Sequence, residues 1–308
     1  MTEEILQVNN LVKTYGQFRA VDDISFAVER GKIVGFLGPN GAGKTTTIQI
    51  LLGITLATAG KITFFGKDFS RHKRDILQRI NFSSAFNTLQ GRLSVEENLI
   101  VFGHLYGVAN VKKKLAELND YFRIDEILKK RYFDLSAGQK TRANLVKSLL
   151  NDPELILMDE PTASLDPDIA DTLLSYIETL KKERNLTLLY TSHNMNEITR
   201  ICDEVIFLDR GKIVAHDTPL GLTKRIKNAQ LKLLIAGKKE KFESYLQKHN
   251  IAYSFIDSQW VTITTEEKAI PKLLFAISQQ GIEIIDIDVE KPTLEDVFLQ
   301  IARGGKQL

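Results

Sequence analysis

Gly38-Pro39-Asn40-Gly41-Ala42-Gly43-Lys44-Thr45 decides the fold. The stretch matches G-x-x-x-x-G-K-[ST] at every specified position, and both flanks agree with it. An apolar run, Ile33 to Leu37, leads in, and a helical stretch, Thr45 to Leu52, leads out. Small residues let the backbone wrap a phosphate so that successive N–H groups point inward, and the helix N-terminus adds its positive end. Gly38, Pro39, Asn40, Gly41, Ala42 and Gly43 are read as that cradle, with Thr46 beside it. Lys44 sets a cation on the β- and γ-phosphates of a nucleotide, and Thr45 offers a hydroxyl to Mg²⁺. A glycine-rich turn with an incidental lysine would require neither flank.

Working outward, the first part of the chain alternates short apolar runs with amphipathic helices. Leu155–Met158 and Leu186–Tyr190 are further runs of the kind that buried parallel strands show. From Leu89 to Leu135 the pattern becomes helical. Ser94 and Glu97 form a capping box opening a helix to about Tyr106, and a second helix is predicted over Val111–Leu128. A helical insert therefore interrupts an α/β core. After a polar, basic stretch at 220–229, read as a linker, the order becomes βαββαβ, the split-βαβ arrangement of ferredoxin-like domains, with a last helix starting at Thr293. The expected domains are 1–222, with a helical subdomain at about 88–135, and 229–308.

Composition sets the outer bounds. Of 308 residues, 43% are hydrophobic and 26% charged, as in a folded globular chain rather than a disordered one. The net charge of +2 is far from the clustered basic excess of a nucleic-acid binder, so no nucleic acid is expected. The single cysteine, Cys202, excludes an intrachain disulfide scaffold. MTEEILQVNN has neither the basic nor the apolar region of a signal peptide, and no apolar stretch reaches the roughly 18–20 residues of a membrane span. A membrane role would run through a partner.

Two further motifs choose among nucleotide machines. Leu155-Ile156-Leu157-Met158-Asp159-Glu160 is an apolar strand ending in two acids. Asp159 is placed to hold the Mg²⁺ shell, and Glu160 to polarise an attacking water at the γ-phosphate. Leu135-Ser136-Ala137-Gly138-Gln139 then resembles the LSGGQ signature of the ATP-binding cassette (ABC) ATPases, with Ala137 in place of the first glycine. Ser136 also reads simply as the N-cap of a helix to Leu150. The intervals from Lys44 to Ser136 and from Ser136 to Asp159 are similar to those of the family. Alanine at 137 is mild if its φ is negative and costly if φ is positive.

The resemblance implies a P-loop NTPase ABC ATPase core of α/β class with a helical insert, plus a small α+β ferredoxin-like C-terminal domain. It implies ATP and Mg²⁺ as cofactors, with Lys44, Glu160 and His193 catalytic and Thr45 and Asp159 on the metal. Tyr15 resembles the aromatic that stacks on adenine and Val21 its apolar neighbour. Ser136, Ala137, Gly138 and Gln139 would reach the nucleotide of the other subunit in a homodimer or heterodimer. Ala163-Ser164-Leu165-Asp166 resembles the loop crossing that interface, and His193, in TSHNM, the switch histidine at the γ-phosphate. The family's usual glutamine after the Arg79–Phe82 strand is missing, with Ala85 at its place. Pro292–Leu299 is similar to the tail of exporter ATPases whose membrane permease is a separate chain, which implies a cytoplasmic location, peripheral on the inner membrane. A soluble non-transport or regulatory ABC ATPase is the alternative. Against it, translation-type members carry two cassettes in one chain, and the DNA-repair type needs a coiled coil between loop and signature for which there is no room.

Overall fold

The structure, a computed structural model, describes residues 3–84, 88–163, 165–236, 239–257 and 259–302. Contacts divide the chain into two units, one up to Pro219 and one from Leu220 onward. The first begins with β1 (Glu4–Tyr15), β2 (Phe18–Glu29), β3 (Ile33–Leu37), α1 (Lys44–Leu51), β4 (Ala59–Phe64), β5 (Lys67–Asp68), α2 (Phe69–Leu77) and β6 (Ile80–Ser84). Four helices follow: α3 (Val95–Leu105), α4 (Val111–Phe122), α5 (Asp125–Leu128) and α6 (Ala137–Leu149). The unit is completed by β7 (Leu155–Asp159), α7 (Pro167–Arg184), β8 (Leu188–Thr191), α8 (Met195–Ile201), β9 (Glu204–Asp209) and β10 (Lys212–Asp217).

The central sheet has the order β10-β9-β3-β8-β7-β6 and is parallel except for β10. All five residues of β3 are buried, as are the first four of β7 and all four of β8. Such strands read as continuous apolar runs because both faces are covered. Since β3, β8 and β7 are neighbours, the loops at their carboxyl ends lie side by side, the usual place for a ligand in an open α/β sheet. Residues more than a hundred positions apart are thereby brought together.

A second sheet, β2-β1-β4-β5, is antiparallel throughout and was not anticipated by the alternating strand–helix reading. Bulges along β1, between Val8 and Leu11 and again beyond Leu11, break the two-residue alternation that would have revealed it. Phe26 of β2 and Phe36 of β3 meet with ring centroids 5.4 Å apart, joining the two sheets through one core.

The helical insert forms as expected at α3, where Ser94 and Glu97 make the capping box. The single helix expected over Val111–Leu128 is instead two. Arg123 turns left-handed (φ 46°), and Asn119 Oδ1 accepts a hydrogen bond from the Asp125 N–H (2.9 Å). The break lets Phe122, Ile124 and Ile127 all be buried, which no single helical face would allow at that spacing. Phe122 packs edge-on against Tyr176 of α7, centroids 4.9 Å apart.

α9 (Pro219–Thr223) occupies part of the stretch expected to be a linker, with Leu222 buried. The second unit then runs β11 (Asn228–Ala236), α10 (Lys239–Lys248), β12 (Ala252–Phe255), β13 (Trp260–Glu266), α11 (Ile270–Gln279), β14 (Glu283–Glu290) and α12 (Leu294–Ala302). Its sheet order, β12-β13-β11-β14, antiparallel throughout, is the expected ferredoxin-like topology. Ala229, Leu231, Leu233 and Ile235 alternate inward along β11 and pack with Phe242, Leu246, Ile270 and Ile277.

Candidate functional site

The phosphate loop links β3 to α1. Its conformation depends on Gly43, whose φ of 103° is left-handed and whose missing side chain makes room for a neighbour. A Cβ there would lie 2.4 Å from the Ala20 carbonyl oxygen of β2. Val21 is wholly buried, beside that same point of the loop. Val21, expected as the apolar neighbour of the aromatic Tyr15, thus packs against the loop and has no exposed surface of its own. Tyr15, at the end of β1, is half exposed, with Lys13 Nζ 4.7 Å from its ring centroid.

Lys44 is buried and folds back along the loop, donating to the Gly38 carbonyl (2.6 Å) and the Pro39 carbonyl (3.2 Å). Burial holds its ammonium below the ordinary lysine range, and the carboxylates of Glu160 and Asp159 partly counter that. Asn40 and Gly41 are exposed at the loop's tip, whereas Ala42 is buried. Thr45 is exposed at the start of α1 and Thr46 half-buried.

The two acids sit across from this loop. Thr45 Oγ1 donates to Asp159 Oδ2 (3.2 Å), while Thr191 Oγ1 donates to Asp159 Oδ1 (2.7 Å). A hydroxyl and a carboxylate at that separation fit a Mg²⁺ ion, which takes one or two protein oxygens and completes its shell with phosphate and water. No group of three or more His, Cys, Asp or Glu side chains among the described residues forms a separate metal site. Glu160 adopts a left-handed φ of 50° and meets His193, Nε2 to Oε1, at 2.6 Å. Lys44, Thr45, Asp159, Glu160 and His193 thus share one end of the sheet.

The signature residues belong to a different surface. Ser136 caps α6: its Oγ accepts from the Gln139 N–H (3.3 Å), and Gln139 Oε1 accepts from the Ser136 N–H (3.2 Å). Ser136 keeps its own hydroxyl proton for another acceptor. Ala137 is the first residue of α6 and has no positive φ, so alanine is mild there. Gly138 lies against Ile169 of α7. Asp166, the N-cap of α7, is exposed, and its side chain makes no capping hydrogen bond. No hydrogen bond among the described residues joins these positions to the phosphate loop of the same chain. Ala85 and Ser164 lie outside the described residues.

Sequence reasoning missed Thr191, whose hydroxyl also accepts from the Glu160 N–H (2.9 Å). It missed Glu197 as well, a buried carboxylate behind the His193 loop. The TSH triplet after an apolar strand was the available signal for Thr191.

The chain matches the family model described as "ABC transporter" over residues 21–163. It is 31% identical over 305 residues to the linearmycin resistance ATP-binding protein LnrL of Bacillus subtilis, covering 96% of this chain and 98% of that one. It is 31% identical over 304 residues to the bacitracin transport ATP-binding protein BcrA of Bacillus licheniformis, covering 98% of each. Among solved structures it is similar to an ATP-binding subunit of an ABC transporter, with TM-score 0.63 and 27% identity over 72% of this chain and 92% of that one. Likeness along essentially the full length, with the phosphate loop, acidic strand end and capped α6 all in place, means that this chain belongs to the ABC transporter family, as one of its ATP-binding, ATP-hydrolysing proteins.

Proposed function

We propose that the chain powers export through a separate membrane permease by binding ATP between two cassettes, identical or paired with a second kind, and then hydrolysing it. The phosphate loop would hold one face of each nucleotide, with Tyr15 against the base. The partner's α6 end would close the other, through the residues equivalent to Ser136, Ala137, Gly138 and Gln139. Asp166 would sit at the crossing between them. Magnesium, held by Thr45 and Asp159, supplies charge neutralisation on the phosphates when bound. Glu160 orients the attacking water and accepts its proton, Lys44 holds the phosphate charge, and His193 positions Glu160 and contacts the γ-phosphate. The export direction is supported by relatives named for bacitracin transport and linearmycin resistance.

No helix among the described residues is long and apolar enough to cross a membrane. A peripheral place on the cytoplasmic face, beside the permease, is proposed from the likeness to ATP-binding proteins of transporters. The second unit would serve dimer contacts and regulation.

The observation that carries the catalytic assignment is the 2.6 Å contact between Glu160 and His193 at the end of the sheet that also holds Lys44. Glu160→Gln keeps the size of the side chain but removes the base. Turnover is expected to fall by about 10²–10⁴-fold, the usual contribution of general-base catalysis, with ATP binding retained. Closed dimers should accumulate in ATP, visible by light scattering. Wild-type hydrolysis by this variant would overturn the assignment.

A further inference from the structure

One carboxylate near the site has no part in the scheme above. Glu197, in the first turn of α8, is buried, and a single oxygen of it, Oε2, accepts three hydroxyl hydrogen bonds. They come from Thr162 (2.9 Å), Tyr190 (2.9 Å) and Ser192 (2.7 Å). Among the described residues no ion pair to Glu197 is seen, and the donors to its Oε2 are all hydroxyls. A carboxylate buried without such partners would be costly, and one that has them holds its donors firmly.

The positions of the donors give this arrangement its meaning. Thr162 is two residues beyond Glu160, on the loop leading to Asp166. Ser192 immediately precedes His193, and its Oγ also accepts from the Asn194 N–H (3.0 Å), immediately after it. All three hydroxyls donate to that oxygen, which leaves the Ser192 lone pairs for Asn194. The His193 loop is therefore pinned on both sides of the histidine through Ser192, and the Glu160 loop is pinned to the same oxygen through Thr162. Tyr190, wholly buried in β8, anchors that oxygen to the sheet.

We propose that Glu197 is a positioning residue for ATP hydrolysis: it fastens the loops after β7 and β8 to one oxygen and so fixes the contact of His193 with Glu160. The inference rests on the roles assigned above to those two residues. It also gives a route by which a displacement near Asp166 reaches His193 within one protomer, through Thr162, Glu197 and Ser192.

The test compares Glu197→Ala and Glu197→Gln, each alone and in a His193→Ala background, measuring steady-state ATPase activity and equilibrium ATP affinity on the full chain. A displacement of about 1 Å in a catalytic pair costs on the order of 10²-fold. Glu197→Ala should therefore lower kcat by about that factor while ATP affinity changes by less than about twofold, because Lys44 and its loop are untouched. Glu197→Gln keeps an acceptor oxygen and should recover most of the rate. In the His193→Ala background the alanine change should cost clearly less than it does alone, since the contact it fixes is already gone. Equal losses in kcat and affinity, effects that multiply with His193→Ala, or no rescue by glutamine would overturn the proposal in favour of a purely structural role. Should Glu197→Ala fail to fold, Ser192→Ala and Thr162→Val each remove one donor. Each should lower kcat without changing affinity, and wild-type kcat in both would overturn the proposal. If His193→Ala and Glu160→Gln both turn over normally, the site reading itself fails. If they are inactive and Glu197→Ala is not, this inference alone fails.

Discussion

Gly43→Ala and Gly41→Ala make a matched pair. Both glycines lie in the phosphate loop with positive φ, 103° and 81°, so alanine is strained at either by about 1–2 kcal/mol. They differ in room. A Cβ on Gly41 meets nothing within 4 Å, whereas on Gly43 it lies 2.4 Å from the Ala20 carbonyl oxygen and 3.6 Å from Val21 Cγ2. Real Cβ contacts do not come so close to backbone oxygen, so the loop or β2 must shift, and overpacking of this kind costs about 1–3 kcal/mol more. The loop is expected to relax when free and to meet that cost on closing around phosphate. Gly43→Ala should then bind ATP about 5–150-fold more weakly than Gly41→Ala. Calorimetric titration gives the affinities, and thermal unfolding of each variant reports any part of the cost borne by the free protein. Equal affinities together with equal melting temperatures would refute the reasoning, because they would mean that the contact with β2 does not constrain the loop.

Phe122→Ala removes a fully buried ring packed on Tyr176 and should destabilise the chain by about 3–5 kcal/mol in urea unfolding; a loss below about 1 kcal/mol would contradict the packing described. Lys44 has its ammonium destabilised by burial, and bound phosphate should restore it. In the alkaline window between its lowered value and the ordinary 10.5, ATP binding should take up protons, seen as a buffer-dependent binding enthalpy that is absent in Lys44→Ala. Glu154 is held below the ordinary 4.5 by hydrogen bonds from Arg79 and then Arg30. Its contribution is therefore present above 4.5 and lost as pH falls through the depressed value. Glu154→Gln should flatten the acid limb of the stability profile by under about 1 kcal/mol, the pair being partly exposed.

Legibility followed the range of the forces involved. The phosphate loop, the capping box at Ser94, the N-cap at Ser136 and the buried runs of β3 and β7 are written in contiguous residues, and the structure has each in place. The βαββαβ order of the second unit was readable from its short apolar runs, of which β11 alternates cleanly. The first antiparallel sheet was not, since the bulges in β1 shift the buried face from one residue parity to the other. The break after Phe122 was hidden because the residue taking the left-handed turn is Arg123, where glycine or asparagine would have been the signal. The burial of Val21 against Gly43 is of the same kind, since only the packing of β2 on the loop decides it. Thr191 and Glu197 act through hydrogen bonds to residues on other strands and loops, which no local pattern announces.

The backbone at Glu160 explains how two adjacent acids serve one site. In a strand that simply continued, Asp159 and Glu160 would point to opposite faces of the sheet. The left-handed φ of 50° breaks that alternation at an intrinsic cost of about 1–2 kcal/mol. Thr191 maintains it: its carbonyl (3.1 Å) and its hydroxyl (2.9 Å) both accept from the Glu160 N–H, while the same hydroxyl donates to Asp159. The Ala163 N–H then closes the turn on the Glu160 carbonyl (3.2 Å). Both carboxylates consequently come near enough to Lys44 to favour its charge, one beside Thr45 and the other against His193. A strained backbone at Glu160 thus brings both acids to one end of the sheet, and one threonine hydroxyl bonds to both of their residues.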